Sequence, residues 1–127
     1  MNTSKVIYSI LINNKVVTGL IDDRIYPVIG NQMDVFPYVT YQLISSFPLL
    51  FCSDVDSERY QISIYAKTQS SASDIKDAIR AAIALAGDGV YDSVNVSHIR
   101  LDNFRELDYS ITDRVYGYIM EYLMNVS

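Results

Sequence analysis

The strongest constraint on the fold is an alternation of apolar and polar side chains that occurs at two separate places in the chain. From Glu58 to Lys67, large apolar residues occupy every second position, which is the repeat of a β-strand with one buried face. From Arg114 to Met124 the alternation recurs, with tyrosine and methionine on one face and further apolar residues on the other. These patterns predict a sheet in which the last strand is central or covered on both sides.

Two weaker strands and one helix complete the predicted sheet layer. Tyr38 to Ser45 alternates in the same way after a proline, and Ser93 to Leu101 shows a fainter pattern. Ser71 to Asp74 supplies small hydroxyl caps and a carboxylate for the first turn of a helix that is predicted to end at Gly87. Its isoleucines recur every four residues beside alanines, which gives a flat face suited to packing on a sheet.

The N-terminal part is predicted to be helical and in two pieces. Apolar residues recur at helical spacing from Thr3 to Ile21, and Asn13-Asn14 marks a break. Arg24 to Pro27 is expected to end this part, followed by a loop that reaches Asp34. We therefore predict an α+β fold in one domain, residues 1–127: an antiparallel four-stranded sheet with an N-terminal helical segment and one long helix packed on it.

The composition disfavours several classes of function. The formal net charge is -5, so the chain is a poor candidate for gripping a nucleic-acid backbone. A single cysteine, Cys52, permits no disulfide within the chain, which fits a reducing compartment. The N-terminus lacks the features of a signal peptide, and no apolar run approaches the roughly 20 residues of a membrane span. A soluble protein made in a cytoplasm is expected.

No arrangement of residues predicts catalysis, a cofactor or a metal. His98 is the only histidine, so Cys52 and His98 are the entire supply of soft ligands and lack any third member that would orient them. Asp54, Asp56 and Glu58 alternate and could approach a hard cation, but they lack the glycine turn of a calcium loop. A solvated acidic loop is the better interpretation. We expect no enzyme.

The connection between the first two strands is unusually apolar. Ser46 to Ser57 is predicted to be irregular, yet it holds a run of large apolar side chains: Phe47, Leu49, Leu50 and Phe51. Two interpretations remain open. The connection folds back over one end of the core, or it forms an exposed hydrophobic patch for a partner subunit. The eleven tyrosines suit half-exposed sheet faces and protein interfaces equally well.

The order of segments resembles the tail terminator, or tail-completion, proteins of long-tailed bacteriophages. The matching features are short but follow in order over nearly the whole chain. They are Ile7 to Leu11 in an N-terminal amphipathic helix, Arg24 to Pro27, Phe36 to Tyr41, Ile64 to Thr68 leading into the long helix, and the closing strand of aromatics from Tyr116 to Tyr122.

The resemblance implies a structural role without a cofactor. Proteins of this family join the head-proximal end of a finished tail tube as a ring, typically hexameric. The ring stops tube growth and offers a surface to the head connector or stopper protein, while DNA passes through the lumen without specific binding. The implied location is the virion tail, with the host cytoplasm as the site of assembly. Subunit contacts are expected at seven residues: Arg24, Tyr26, Phe36, Phe47, Leu49, Leu50 and Phe51.

Two other functions remain open at this stage. One is another neck or tail-tube component, such as a stopper or head-completion protein. The other is a small non-enzymatic domain that binds a protein partner through its sheet. A small hydrolase using Cys52 and His98 is the weakest alternative.

Overall fold

The computed structural model describes residues 3–27, 35–49, 52–91, 93–106 and 115–127. Two short helices open the chain, α1 (Ser4–Ile12) and α2 (Lys15–Ile21). The break between them falls where the sequence predicts it, because the Asn14 side chain accepts hydrogen bonds from the backbone amides of Val16 and Val17 and so caps the start of α2. The long third helix, α3 (Gln69–Ala86), lies between the two halves of the sheet in the chain order.

The predicted C-terminal end of the long helix is confirmed, whereas its N-terminal end lies earlier in the chain than predicted. The helix begins at Gln69 because the Thr68 hydroxyl accepts a hydrogen bond from the Ser71 amide, so Thr68 is the cap, before the predicted hydroxyl cluster. It ends at Ala86 with Gly87 as the C-cap, as predicted. Gly87 has a φ of 58°, a region that side chains disfavour, and its amide bonds to the Ile83 carbonyl.

The described strands form one six-stranded sheet in the order β1-β2-β3-β6-β5-β4. The bounds are β1 (Ile25–Pro27), β2 (Tyr38–Leu49), β3 (Cys52–Ala66), β4 (Gly89–Tyr91), β5 (Val94–Glu106) and β6 (Tyr116–Val126). All neighbours are antiparallel except β1, which runs parallel to β2. The α+β class is confirmed, whereas the prediction of a purely antiparallel four-stranded sheet is wrong.

The two additional strands are short and cover only part of each sheet edge. β1 pairs with β2 from Val39 to Tyr41, and β4 pairs with β5 from Val94 to Val96. Each has three residues, too few for an alternating pattern to stand out from the loops that flank it. The predicted end of the helical part at Arg24 to Pro27 is in fact the first strand of the sheet.

The largest correction concerns the predicted irregular connection from Ser46 to Ser57. β2 continues to Leu49 and β3 begins at Cys52, so all described residues of this segment lie in one long hairpin. The solvated acidic loop is wrong for the same reason: Asp54, Asp56 and Glu58 are strand residues, and Glu58 is buried. β5 is also longer than predicted and ends at Glu106.

The core lies between one face of the sheet and the three helices. The sheet contributes the alternating residues that the sequence predicts: Tyr60, Ile62, Ile64 and Ala66 from β3, and Tyr118, Met120, Tyr122 and Met124 from β6. The helices contribute their apolar stripes, including Ile7 and Leu11 from α1 and Ile75, Ile79 and Ile83 from α3. We call this side of the sheet the helix face and the other side the bare face.

Candidate assembly interface

The outer strand of the hairpin is exposed on both of its faces. Every β2 residue from Gln42 to Pro48 is exposed, although the strand next to it is largely buried. Three of these side chains are large and apolar, with exposed fractions of 42% for Leu43, 43% for Ile44 and 53% for Phe47. The segment carries no charge. An uncharged apolar strand in water indicates a surface that another protein covers.

The backbone of this segment also lacks a partner on its outer side. β1 accompanies β2 only as far as Tyr41, and no other described strand pairs with that side. We call residues 42–49 the β2 open edge. The opposite margin of the sheet has an equivalent, because β4 accompanies β5 only as far as Val96. We call residues 97–106 the β5 open edge; its last five residues, from Asp102, are all exposed.

Three of the seven predicted contact residues lie together at the other end of β2. The Tyr26 and Phe36 rings both pack against Tyr38, with centroid distances of 6.3 Å and 5.2 Å. Arg24 donates from Nε to the Pro37 carbonyl at 2.7 Å and forms an ion pair with Asp22 at 3.0 Å. The structure therefore gives all three residues contacts within their own chain.

Of the other four predicted contact residues, two lie at the end of β2. Phe47 is the most exposed aromatic residue among the large exposed apolar side chains, and Leu49 ends β2 half-buried. Leu50 and Phe51 lie outside the described residues. Phe47 and Tyr38 are nine residues apart on one strand, or roughly 30 Å at the rise of a β-strand. The five described residues of the seven thus form two separate groups, and Leu43 and Ile44 are surface residues that the sequence analysis does not predict.

The bare face carries a charged network that ties three strands together. Arg59 of β3 donates to Asp102 of β5 at 2.8 Å and approaches Glu121 of β6 at 3.5 Å. Asn103 donates to Glu121 at 2.8 Å, and Arg100 lies 3.4 Å from Asp102. The Arg59 hydrogen bond lowers the pKa of Asp102. The network therefore holds opposite charges in pairs and fixes β5 against its neighbours.

The helix face contains buried polar groups with no catalytic arrangement. The Thr3 and Tyr60 hydroxyls are hydrogen-bonded and join the start of α1 to β3. Among the described residues, Glu58 Oε1 and Tyr122 Oη are buried without a hydrogen-bond partner. Burial raises the pKa of Tyr122 to about 12, so its hydroxyl is neutral at physiological pH. Neither group is paired with a nucleophile or a base.

The described residues also include no candidate metal site. No three side chains of His, Cys, Asp or Glu within residues 3–27, 35–49, 52–91, 93–106 and 115–127 come together as ligands. His98 lies exposed on β5. Across the same ranges, every helix is too short or too polar to span a bilayer.

Fold and surface together define an α+β protein whose described residues include two open strand edges and an exposed apolar segment of β2. The comparisons with known proteins agree with this class. Residues 5–119 match the family described as tail completion protein gp17. The chain belongs to that family and is a phage-type virion tail component. No curated protein matches it in sequence.

A solved structure supports the fold independently. A chain in the structure titled "Virion of native gene transfer agent (GTA) particle" superposes with a TM-score of 0.70 at 12% identity. The match covers 94% of this chain and 90% of that chain, so the likeness extends over the whole domain. The resemblance inferred from the segment order is therefore confirmed at the level of the family.

Proposed function

We propose that this protein caps the head-proximal end of the phage tail tube as a ring, ends tube growth and provides the surface for head–tail joining. The observation that carries the proposal is the uncharged, two-faced exposure of β2 beyond Tyr41 in a chain of the tail completion family. Exposure of Leu43, Ile44 and Phe47 does not stabilise a monomer, because full burial of each such side chain would contribute about 1.5 to 3 kcal/mol of favourable free energy.

The ring form is supported by the difference between the two open edges. The β2 open edge is uncharged, whereas the β5 open edge carries four charged residues: Arg100, Asp102, Arg105 and Glu106. Two unlike surfaces at opposite margins of one sheet favour a head-to-tail contact, and head-to-tail contacts form a ring when the rotation between neighbouring copies closes. A hexamer is the proposed ring, with the tail tube protein below it and the head connector or stopper protein above it.

The proposed subunit and partner contacts are the hairpin residues Phe47 and Leu49 with Leu50 and Phe51. Arg24, Tyr26 and Phe36 remain a second proposed contact at the other end of β2. Because the chain has a net charge of -5, DNA would pass through the lumen without being held. Assembly would take place in the host cytoplasm, and the finished protein would remain in the virion.

The deciding experiment removes the gene and restores it on a plasmid. We expect particles that lack the protein to have unjoined heads and tails or tails of uncontrolled length, and electron microscopy counts these forms. Complementation with the unaltered gene should restore joined particles, whereas a Phe47→Ser gene should not. Joined particles of normal tail length without the protein would refute the proposal. A label on the protein should appear at the head-proximal end of the tail; a label on the head side of the neck would favour a stopper protein instead.

A further inference from the structure

Both margins of the sheet end in strands whose outer backbone groups have no described partner. A strand edge of this kind binds another strand through main-chain hydrogen bonds. The β2 open edge spans eight residues and the β5 open edge ten, so the two are well matched in length. We infer that, in the proposed ring, the β2 open edge of one copy pairs with the β5 open edge of the next and joins the sheets of all copies.

The strand directions permit this pairing. β2, β3, β6 and β5 are successive antiparallel neighbours, so β2 and β5 run in opposite directions within one copy. When a second copy is placed beside the first with its helix face on the same side, its β2 is antiparallel to the β5 that it meets. The new ladder therefore continues the antiparallel pattern of the sheet, which is the more favourable hydrogen-bond geometry.

The short edge strands determine how far one copy must shift along the next. Within one copy, Phe104 of β5 is level with Tyr41 of β2, since both align through Ile62 and Met120. If two copies lay side by side without a shift along the strands, Phe104 of one copy would lie beside Tyr41 of the next. The outer side of Tyr41 is already occupied by β1 of that same copy. The copies must therefore be staggered along the strands.

A shift of about two residues, or roughly 7 Å, moves Phe104 clear of β1, so that only Glu106, the last residue of β5, lies level with Tyr41 and stays outside the new ladder. It brings Phe104 beside Leu43 of the next copy, and both are helix-face residues that are otherwise exposed. An even shift is required because an odd one would exchange the two faces. The same shift keeps β4 clear of Pro48. A stagger between neighbouring strands is also what closing a sheet into a barrel demands.

The head-to-tail pairing of β2 with β5 covers exposed surface that a two-fold dimer would leave in water. Pairing β2 with β2 of a second copy would leave both β5 edges open, and pairing β5 with β5 would leave the apolar β2 segments in water. The head-to-tail pairing covers both edges of every copy. It places Gln42 opposite Arg105 on the bare face, and both side chains are exposed.

A cysteine experiment tests the register directly. Gln42→Cys and Arg105→Cys would be placed on separate chains in a Cys52→Ser background and mixed before assembly onto tails. Paired positions of an antiparallel ladder bring Cα atoms to about 5 Å, within the range of a disulfide. We expect a cross-link in the mixture and none in either single variant. Gln42→Cys with Arg100→Cys is the register control and should not cross-link.

Hydrogen exchange supplies a second measurement that needs no substitution. In assembled tails we expect the outward-pointing amides of both open edges to exchange at least about tenfold more slowly than in the monomer, because new ladder bonds protect them. Exposed amides of the same sheet that already pair on both sides should be unaffected.

The inference rests on the proposed function, but the two can fail separately. Rings that form without the Gln42–Arg105 cross-link and without slower edge exchange would overturn the inference and leave the capping role intact. A cross-link between two Gln42→Cys chains would replace it with a two-fold dimer. If the protein never joins the tail, both proposals fail together.

Discussion

The two strands of the hairpin pair along most of their length, yet they differ strongly in how far their side chains are buried. Tyr60 of β3 is 1% exposed, while Leu43, its partner on β2, is 42% exposed. The same contrast separates Ser57 from Phe47 further along the ladder. Helix α3 packs on the helix face of β3, whereas every β2 residue from Gln42 to Pro48 is exposed. The inner strand therefore supplies stability, and the outer strand supplies surface for assembly.

The largest expected difference between the two strands is in how much an isoleucine-to-alanine substitution on each one lowers the free energy of unfolding. Ile62→Ala should lower the free energy of unfolding by about 3 to 4 kcal/mol, because it leaves a cavity in a closed core. Ile44→Ala is the matched control on β2 and should cost less than about 0.5 kcal/mol. Urea unfolding followed by circular dichroism measures both. Equal losses would mean that the outer strand is part of the core.

For assembly into tails, we expect substitutions on β2 to have a large effect even though they change stability little. Phe47→Ser should leave the unfolding free energy nearly unchanged and weaken incorporation into tails at least about tenfold, since buried aromatic residues dominate interfaces. Leu85→Ser is the control, because Leu85 is even more exposed, at 84%, but belongs to α3 and to neither open edge. Quantitative immunoblotting of purified tails measures incorporation. Equal incorporation of the two variants would remove the hairpin from the interface.

The sequence is informative where a side chain has to be buried and uninformative where it does not. Alternation in β3 and β6 and the isoleucine spacing of α3 are consequences of core packing, so they predict these elements correctly. The extension of β2 to Leu49 is not predictable, because the last part of this strand contains Pro48 and an irregular register after Leu43, which disturb the two-residue repeat. Acidic alternation at Asp54 and Asp56 likewise has the appearance of a loop.

The candidate interface was predictable only in part, for a related reason. Phe47 was singled out because an apolar residue in an expected loop is unusual. Leu43 and Ile44 were not, because a strand with one buried face contains such residues anyway. Exposure of a whole strand depends on where the helices end over the sheet, and this is a property of the assembled fold that no local pattern contains.

A smaller effect is expected where the helices are attached to the inner strand. Thr3→Val should lower the unfolding free energy by about 1 kcal/mol, because it leaves the buried Tyr60 hydroxyl without its partner. Thr18→Val is a control, since the Thr18 hydroxyl donates to the nearby backbone carbonyls of Asn14 and Lys15 at the start of α2. Thermal unfolding of both variants provides the measurement. If incorporation into tails falls while stability is unchanged, the N-terminus itself contacts a partner.

The smallest effect at neutral pH should come from the phenol on β6 that has no described partner. Tyr122→Phe removes a buried hydroxyl that lacks a hydrogen bond, so the free energy of unfolding should change by less than about 1 kcal/mol at pH 7. The difference should appear in base. The folded state favours the neutral phenol and raises the pKa of Tyr122 to about 12, whereas an unfolded tyrosine ionises near pH 10.

Stability that depends on the neutral form of Tyr122 is therefore complete below pH 10 and is lost as the pH rises toward 12. We expect the Tyr122→Phe protein to lose less stability than the unaltered protein over this interval, as measured by urea unfolding at successive pH values. Tyr8→Phe on the exposed side of α1 is the control and should follow the unaltered protein. Identical curves for all three proteins would mean that the phenol on β6 reaches water, and the inner half of the ladder would then be less tightly closed than its buried side chains indicate.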